Sequence, residues 1–314
     1  MKGHDPIRGS VLHVGDTAGV PRVLSLAQRG LGMKSDVIAF QHHKFGYEAD
    51  FLRPTKTPFP FRCLERILSL SKLVDEYDIL HFHYSSALPM GLDIPLWKRM
   101  GKKIVIHHKG DDIRGKGEGY LFSHLSDGII VSTPDLLEWS EDAIWVPNPI
   151  DLDSCPPIGI PEHSGPLRIV HAPSDRRIKG TEHVIRAVDE IQKEGYYVEL
   201  IMVENTPHEE ARKLYMGADI MVDQLLVGWY GNFAIEAMAL GKPVCAFIRE
   251  DLASYLDGAP VINTGPIDLA AKLKALVEDA SWRRSLGRAG RSYVERRHRS
   301  DLVAKYIIKY IYNL

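Results

Sequence analysis

The stretch GWYGNFAIEAMALGKPV, residues 228–244, decides the fold of this chain. A loop with two glycines leads into a short apolar helix, which we expect to end at Gly241 because glycine commonly follows a helix C-terminus. Pro243 and Val244 then open an apolar run typical of a buried strand. A helix joined to a strand by so short a turn belongs to a crossover unit, which favours a parallel sheet.

Glu236 lies inside this apolar helix, so its carboxylate should be partly buried. A buried carboxylate is costly unless hydrogen-bond donors satisfy it. The two hydroxyl groups of a ribose ring would satisfy both oxygens, while local backbone N–H groups are the structural alternative. Glu236 is therefore a candidate ligand contact.

The same alternation of short apolar runs and helical periods continues along the rest of the chain. Strands are predicted at 11–14, 35–40, 79–83, 103–107, 128–132, 143–146, 167–171, 198–203, 219–222 and 243–247. Helices are predicted at 21–29, 62–76, 89–100, 181–194, 208–216, 232–240, 267–278, 281–297 and 300–313. Strands that alternate with helices predict doubly wound parallel sheets, in which ligands bind beyond the carboxyl ends of the strands.

A proline-rich break divides this pattern into two halves. Residues 147–166 read PNPIDLDSCPPIGIPEHSGP, and no helix or central strand survives such a density of proline. We predict a Rossmann-like domain at 1–150, a linker at 151–166, a second Rossmann-like domain at 167–299 and a final helix within 300–314. Two lobes of this kind would place their ligand-binding edges face to face across a cleft.

A glycine-containing loop, GDTAGVP, follows the first predicted strand. Gly15 and Gly19 allow a ligand to approach the backbone closely, and Pro21 suits the first turn of a helix. The spacing is not G-x-G-x-x-G, so it does not predict a dinucleotide site. An ordinary strand-to-helix turn is the alternative.

Histidines mark the ends of two further strands. His81 and His83 share one strand face, and His107 and His108 precede a KGDDIR segment. A metal site needs several imidazoles that converge with a carboxylate, and nothing in the spacing requires this, so we predict no metal ligands. His108 and Asp111 are candidates for contacts to sugar hydroxyls or phosphate, with ordinary polar strand ends as the alternative.

A basic segment, HAPSDRRIKGT at 171–181, separates a strand from a helix. Thr181 can cap that helix, whose free N–H groups would face the segment. Arg177 and Lys179 add positive charge at the same end, which suits a diphosphate. A basic solvated turn is the alternative.

Composition narrows the class of partner. The chain has 314 residues, is 45% hydrophobic and carries a formal charge of −2 at neutral pH, so it predicts a globular protein without the basic excess of nucleic-acid binders. Its three cysteines lie far apart and fit a reducing compartment. No segment resembles a signal peptide or the roughly 18 apolar residues of a membrane span, so we expect a cytoplasmic protein.

The last helix carries an apolar stripe of Tyr306, Ile307, Tyr310 and Ile311 beside two lysines. Such a stripe predicts either a peripheral membrane contact or packing against the first domain.

Five segments together resemble the family 4 retaining glycosyltransferases, also known as group 1 glycosyl transferases. Residues 231–244 resemble the donor-nucleotide signature of the family, and residues 176–181, which end in KGT, resemble its diphosphate loop. Residues 147–151 resemble its interdomain marker and residues 109–114 its His-Gly-x-Asp loop. Residues 15–19 lie where the first glycine-rich loop of the family lies, so the resemblance spans nearly the whole chain in the right order.

The resemblance implies an α/β GT-B fold of two Rossmann-like doubly wound parallel-sheet domains that face each other across a cleft, with the final helix packed back on the first. It also implies a hexosyltransferase that moves sugar from a nucleotide-diphosphate sugar to a hydroxyl acceptor, with retention of configuration. No metal ion or other cofactor is required in that chemistry.

The resemblance assigns the donor site to the second half of the chain. Glu236 would bind the ribose, and Lys179 with Arg176 or Arg177 would bind the diphosphate. Lys179 and Arg177 would also stabilise charge on the departing diphosphate. The remaining donor-binding residues open the signature helix: Gly231, Asn232 and Phe233.

In the first half, the resemblance assigns His108 to the donor sugar near the reacting centre. Gly15 and Gly19 would let the backbone approach the acceptor or the diphosphate. The sequence departs from the family at two places. Gly228 stands where the family usually has a glutamate eight residues before Glu236, and Pro173 stands where it has an arginine six residues before the lysine.

The leading prediction is therefore a glycosyltransferase of glycan, glycolipid or polysaccharide biosynthesis. Its partners would be a nucleotide sugar and a glycan, lipid or small-molecule hydroxyl acceptor. Gly228 motivates the alternative of a catalytically impaired nucleotide-sugar-binding protein. A GT-B sugar-nucleotide epimerase is a further alternative, which would need acid and base carboxylates near the donor.

Overall fold

The structure is a computed structural model, and it describes residues 9–15, 18–43 and 45–314. Asp16 and Thr17 of the predicted glycine-containing loop lie outside the described residues, as do residues 1–8 at the N-terminus. The chain forms two compact units. The first comprises Met1–Pro149 with Ser300–Leu314, and the second comprises Ile150–Arg299.

The strands and helices of the described residues alternate throughout. The strands are β1 Ser10–Val14, β2 Lys34–Ala39, β3 Phe51–Leu52, β4 Ile79–His83, β5 Lys103–His108, β6 Gly128–Val131, β7 Ile144–Trp145, β8 Leu167–His171, β9 Val198–Met202, β10 Ile220–Val222, β11 Val244–Ala246 and β12 Ile262–Asn263. The helices are α1 Val20–Gly30, α2 Phe61–Ser71, α3 Ile94–Arg99, α4 Tyr120–Leu125, α5 Arg176–Lys179, α6 Thr181–Lys193, α7 His208–Met216, α8 Asn232–Ala239, α9 Leu269–Glu278, α10 Ala280–Arg297 and α11 Ser300–Tyr310.

The first unit is built on a parallel sheet in the order β3-β2-β1-β4-β5-β6-β7. Its central strands β1, β4 and β5 are buried along nearly their whole length, which is why their sequences are almost continuously apolar or histidine. The strand order reverses between β1 and β4. Doubly wound sheets bind ligands at such a switch point, beyond the carboxyl ends of the strands.

The second unit is built on a parallel sheet in the order β12-β11-β10-β8-β9. Helix α6 turns Val184, Val188 and Ile191 inward at helical spacing, and they pack in one core with Ile169 of β8. In this sheet the strand order reverses between β8 and β10. The loops that follow these two strands therefore flank the switch point.

The structure corrects some predicted elements. The helix predicted at 89–100 begins only with α3, because Met90 and Gly91 adopt positive φ values of 54° and 77° that interrupt a helix. The helix predicted at 62–76 is α2 followed by a separate 3₁₀ turn at Val74–Glu76. No prediction covered the short strands β3 and β12 or the short helices α4 and α5.

The terminal helix α11 packs into the core of the first unit. Val303, Ile307 and Ile308 are buried in a cluster with Val11 of β1 and Leu24 of α1. The predicted apolar stripe is therefore divided between two environments. Two of its members are buried (Ile307 and Ile311) and two are exposed (Tyr306 and Tyr310).

We expect Ile307→Ala to lower the free energy of unfolding by about 2–5 kcal/mol, because Ile307 is fully buried and the cavity left behind would not close. Denaturant unfolding of the full chain measures this loss. Lys309→Ala on the exposed face of the same helix is the control and should change the free energy by about 0.5 kcal/mol or less. Equal losses in the two variants would contradict the packing of α11.

Candidate functional site

The first feature of the second unit is a short basic helix that follows β8. Helix α5 begins after Asp175, whose side chain accepts hydrogen bonds from the backbone N–H groups of Arg177 and Ile178 at 2.9 and 3.0 Å. The prediction that Thr181 caps the next helix is wrong. Gly180, with φ of 74°, links α5 to α6, and the Thr181 hydroxyl instead contacts Nε2 of buried His171 at 3.0 Å.

An ion pair joins this helix to the loop after β10. Lys179 Nζ lies 3.1 Å from Asp223 Oδ1, and Asp223 Oδ2 accepts a 2.5 Å hydrogen bond from the backbone N–H of Gly231. The Asp223 side chain is 2% exposed and the Lys179 side chain is 19% exposed, so the lysine is the more accessible partner. A side chain at position 231 would press on both partners, since its Cβ would lie 3.2 Å from Asp223 and 3.3 Å from Lys179.

Gly231 leads directly into α8, which carries the predicted ribose ligand. Within the described residues, no side chain caps this helix. Glu236 Oε1 lies 3.1 Å from Nε2 of His208, while Glu236 Oε2 is buried without a hydrogen-bond partner among the described residues. Phe233 packs edge-on against Tyr215, with ring centroids 5.0 Å apart. Glu236 therefore has one oxygen satisfied by the protein and one that a ligand could satisfy.

The two arginines of α5 have different surroundings. Arg176 forms a two-pronged contact with Glu204, through Nε at 2.8 Å and Nη2 at 2.7 Å. Arg177 is exposed on the surface of the helix. The structure thus brings Lys179 and Gly231 together around Asp223, whereas Arg176 is paired with Glu204.

Position 228 has a backbone that disfavours any side chain, including the glutamate of the family that the sequence resembles. Gly228 has a φ of 97°, and a Cβ there would lie 2.6 Å from side-chain carbons of Arg249. Gln224 holds the loop from inside, because its Oε1 accepts from the N–H groups of Val227 at 2.6 Å and Gly228 at 3.3 Å. Its Nε2 donates to the carbonyl of Trp229 at 2.7 Å. Gln224 was not predicted from the sequence. Its position directly after Asp223 is the sequence feature that could have indicated its role.

In the first unit, His108 is enclosed by carboxylates. Its Nδ1 lies 2.7 Å from Asp112 and its Nε2 lies 2.8 Å from Glu118, and the side chain is 1% exposed. Burial lowers the pKa of His108, but the hydrogen bonds and charges of the two carboxylates outweigh it and raise the pKa above its ordinary value. The contact between His108 and a donor sugar stays a prediction, and it would have to displace one of these carboxylates.

The two predicted loop glycines of the first unit differ in their surroundings. Gly15 has a φ of 90° and lines a cavity of about 140 Å³ at the switch point, together with His83 and Tyr84. Gly19 also has a positive φ, of 70°, and the ring of Tyr47 lies where its Cβ would be. Gly15 is therefore open to a ligand, while Gly19 is packed against protein.

Four histidines are buried side by side on one face of the first sheet. His13 of β1 pairs with His81 of β4, and His83 of β4 pairs with His107 of β5. Burial lowers the pKa of all four imidazoles, in the case of His13 to about 4. The positive charge of Lys109 lowers these pKa values further, so the four rings are neutral at neutral pH.

Several solved structures are similar to this chain over nearly its whole length. A sucrose-phosphate synthase (tll1590) from Thermosynechococcus elongatus is similar, with a TM-score of 0.65 and 16% identity over 96% of this chain and 98% of that chain. The catalytic domain of starch synthase IV from Arabidopsis thaliana, bound to ADP and acarbose, gives 0.62 and 12% over 95% and 99%. The lipopolysaccharide outer core galactosyltransferase WaaB in its apo form gives 0.62 and 12% over 97% and 99%.

These similarities confirm the predicted GT-B fold of two Rossmann-like parallel-sheet domains. These three structural neighbours are GT-B glycosyltransferases. A comparison with protein-family models gives no match, and a comparison with curated proteins gives none either. Among the described residues, no helix is both long enough and apolar enough to cross a membrane.

We expect His108 to titrate above the ordinary histidine value of about 6.5, while His13 titrates far below it, because carboxylates surround one ring and burial dominates the other. The stability that His108 contributes is then present below about pH 6.5 and is lost as the pH rises through its raised folded pKa. A histidine NMR titration of the folded chain measures both pKa values. Equal pKa values for the two rings would contradict this assignment.

Position 228 yields a stability prediction with a matched control. Gly195 has a φ of 95°, close to the 97° of Gly228, but nothing lies within 4 Å of its Cβ position. Gly195→Ala should cost about 1–2 kcal/mol for the backbone alone. Gly228→Ala should cost roughly 1–3 kcal/mol more, because Arg249 must also move. Denaturant unfolding of both variants compares them, and a smaller loss at position 228 would show that Arg249 does not confine it.

Proposed function

We propose that this chain is a retaining hexosyltransferase that moves a sugar from a nucleotide-diphosphate sugar to a hydroxyl acceptor. The observation that carries the proposal is the buried, unpartnered Oε2 of Glu236 among the described residues. It lies on the helix that follows β10, and Lys179 lies on the helix that follows β8. Both therefore belong to the edge of the second sheet at which doubly wound folds bind ligands.

The Glu236 carboxylate suits a ribose ring. Its Oε1 already contacts His208, so the second oxygen is the acceptor that remains for a hydroxyl group. A ribose diol supplies such donors, and a hydrogen bond to a charged acceptor is stronger than one between neutral groups. Glu236 with His208 would therefore orient the nucleoside. The other predicted donor-binding residues lie at the start of the same helix: Gly231, Asn232 and Phe233.

The diphosphate would lie between Lys179 and the N-terminus of α8. The eight-residue helix Asn232–Ala239 begins beside this lysine, and no side chain of the described residues caps its N-terminus. The dipole of a helix favours an anion at this end. Asp223 holds Lys179 in place before the donor binds. Lys179, and Arg177 from the exposed face of α5, would then stabilise charge on the departing diphosphate.

Retention of configuration, independence of metal in the transfer step and family 4 membership rest on the sequence resemblance. The same resemblance supports a role in glycan, glycolipid or polysaccharide biosynthesis. Cytoplasmic location belongs to the same proposal. A peripheral membrane contact would be made by Tyr306 and Tyr310, because both tyrosines are exposed.

A second candidate is a nucleotide-sugar-binding protein that does not transfer the sugar. The backbone at Gly228 and the side chain of Arg249 leave no room for the family's glutamate. Loss of a carboxylate that faces the sugar would impair transfer while leaving the contacts of Glu236 and Lys179 with the nucleotide intact. Turnover therefore separates the two candidates.

We expect the chain to bind one of UDP, GDP or ADP, and Glu236→Gln to weaken that binding by about 10–100-fold, because a charged hydrogen-bond acceptor is lost. Isothermal titration calorimetry with each nucleotide measures the affinity. The control is Glu199→Gln on β9, whose exposed carboxylate pairs with Arg168 and should not affect binding. Equal affinities in the two variants would remove Glu236 from the donor site.

We expect Lys179→Ala to lower the rate of sugar transfer by roughly 100-fold or more, because it removes a charge that stabilises the departing diphosphate. Lys193→Ala, at an exposed position that pairs with Asp189, is the control. Product analysis by NMR measures glycoside formation and the configuration at the anomeric carbon. A chain that binds nucleotide yet forms no glycoside with any acceptor supports the second candidate, and inverted product contradicts retention.

A further inference from the structure

The buried histidines of the first unit leave hydrogen-bonding groups unsatisfied. His81 Nε2, His83 Nδ1 and His107 Nδ1 are buried without a hydrogen-bond partner among the described residues. The four side chains of the cluster are each 2% exposed or less. Buried polar groups in native proteins are almost always satisfied, by protein, by water or by an ion. Ring nitrogens without a protein partner at this depth are therefore available to a water molecule or an ion.

The arrangement of three of these rings is that of a metal site. His81 and His83 alternate along β4 and so share one face, and His13 stands directly opposite His81 on the neighbouring strand. One nitrogen of each ring lies within 4.8 Å of the corresponding nitrogens of the other two. Three nitrogens bound tetrahedrally at about 2.0–2.1 Å would be about 3.4 Å apart, so small rotations of the rings suffice.

We propose that His13, His81 and His83 form a three-histidine binding site for a divalent transition metal ion such as Zn²⁺. Neutral imidazoles are the ligands that zinc, copper, nickel and iron favour. The proposal revises the expectation of no metal ligands. That expectation considered the histidines of β4 and β5, because no local pattern places His13 beside them.

The partners of the rings already suit ligation. His13 Nε2 lies 2.8 Å from Gln28 Oε1, which accepts its proton, so Nδ1 carries the lone pair. Nδ1 contacts Nε2 of His83 at 2.9 Å, and a metal ion bound by both nitrogens would replace this hydrogen bond. His81 Nδ1 lies 2.6 Å from the Tyr312 hydroxyl, which leaves its unpartnered Nε2 for the metal ion. Histidine ligands usually donate their second N–H group in this way, and the outer partner fixes which nitrogen binds.

The site has an entry path, and a positively charged side chain lies near it. His83 lines the cavity of about 140 Å³ at the switch point, through which an ion and a water molecule could reach the rings. Lys109 Nζ lies 3.0 Å from Nε2 of His107, and its charge disfavours a second cation nearby. We therefore expect an anion, such as hydroxide, to occupy the fourth position and compensate the charge.

Co²⁺ is the probe for this site, because its visible spectrum distinguishes four-coordinate from six-coordinate binding. The full chain, without a histidine tag and treated with a chelator, is titrated with Co²⁺. We expect the intense absorption of a four-coordinate ion to saturate at one equivalent, and Zn²⁺ to abolish it by displacement. Absence of this spectrum from folded wild-type protein would overturn the proposal without recourse to any variant.

Variants then locate the ion. His83→Gln should abolish the four-coordinate spectrum, whereas His42→Gln at an exposed position should leave it unchanged. Gln28→Leu should weaken Co²⁺ binding by about 10–100-fold, because the outer partner of His13 is lost. Circular dichroism verifies that each variant is folded. A folded His83→Gln protein that keeps the spectrum, or a Gln28→Leu protein with unchanged affinity, would contradict the assigned ligands.

Discussion

The Asp223 carboxylate organises the candidate donor site. It stands one residue beyond the carboxyl end of β10, where it holds Lys179 on one oxygen and the Gly231 N–H group on the other. Its burial gives these contacts their strength, because charge interactions weaken as water gains access. Asp223 therefore links the helix after β8 to the start of α8, and the backbone N–H of Leu225 adds a second link by donating to the Lys179 carbonyl at 3.1 Å.

Buried polar side chains have the same role elsewhere in the molecule. Gln224 satisfies backbone groups on both sides of its loop, and Lys242 donates to the carbonyls of Met216 and Ala218 at 2.7 and 2.8 Å. Burial lowers the pKa of Lys242 to about 8. Each of these groups is costly to bury alone, so each specifies one loop conformation. The chain thus positions its sheet-edge loops through polar contacts inside the fold.

The two units contrast in how their polar groups are satisfied. In the second unit nearly every group around Asp223 has a partner, and Glu236 Oε2 is the exception within the described residues of that site. In the first unit several neighbouring imidazole nitrogens lack one. A single unsatisfied oxygen fits a small hydroxyl donor, whereas several converging nitrogen atoms fit a metal ion. The same rule of polar satisfaction therefore leads to two different ligands.

The sequence by itself determined most of the strands, the longer helices and the proline-rich break, because these depend on periodicity and on residues close in the chain. The GT-B fold was predicted from the resemblance of several segments to a known family. It also singled out Glu236 and Lys179. Only the tertiary structure decided that His13 lies beside His83, seventy positions along the chain, and that carboxylates enclose His108. Parallel pairing brings together strands that are distant in sequence, and no local pattern records which side chains then meet.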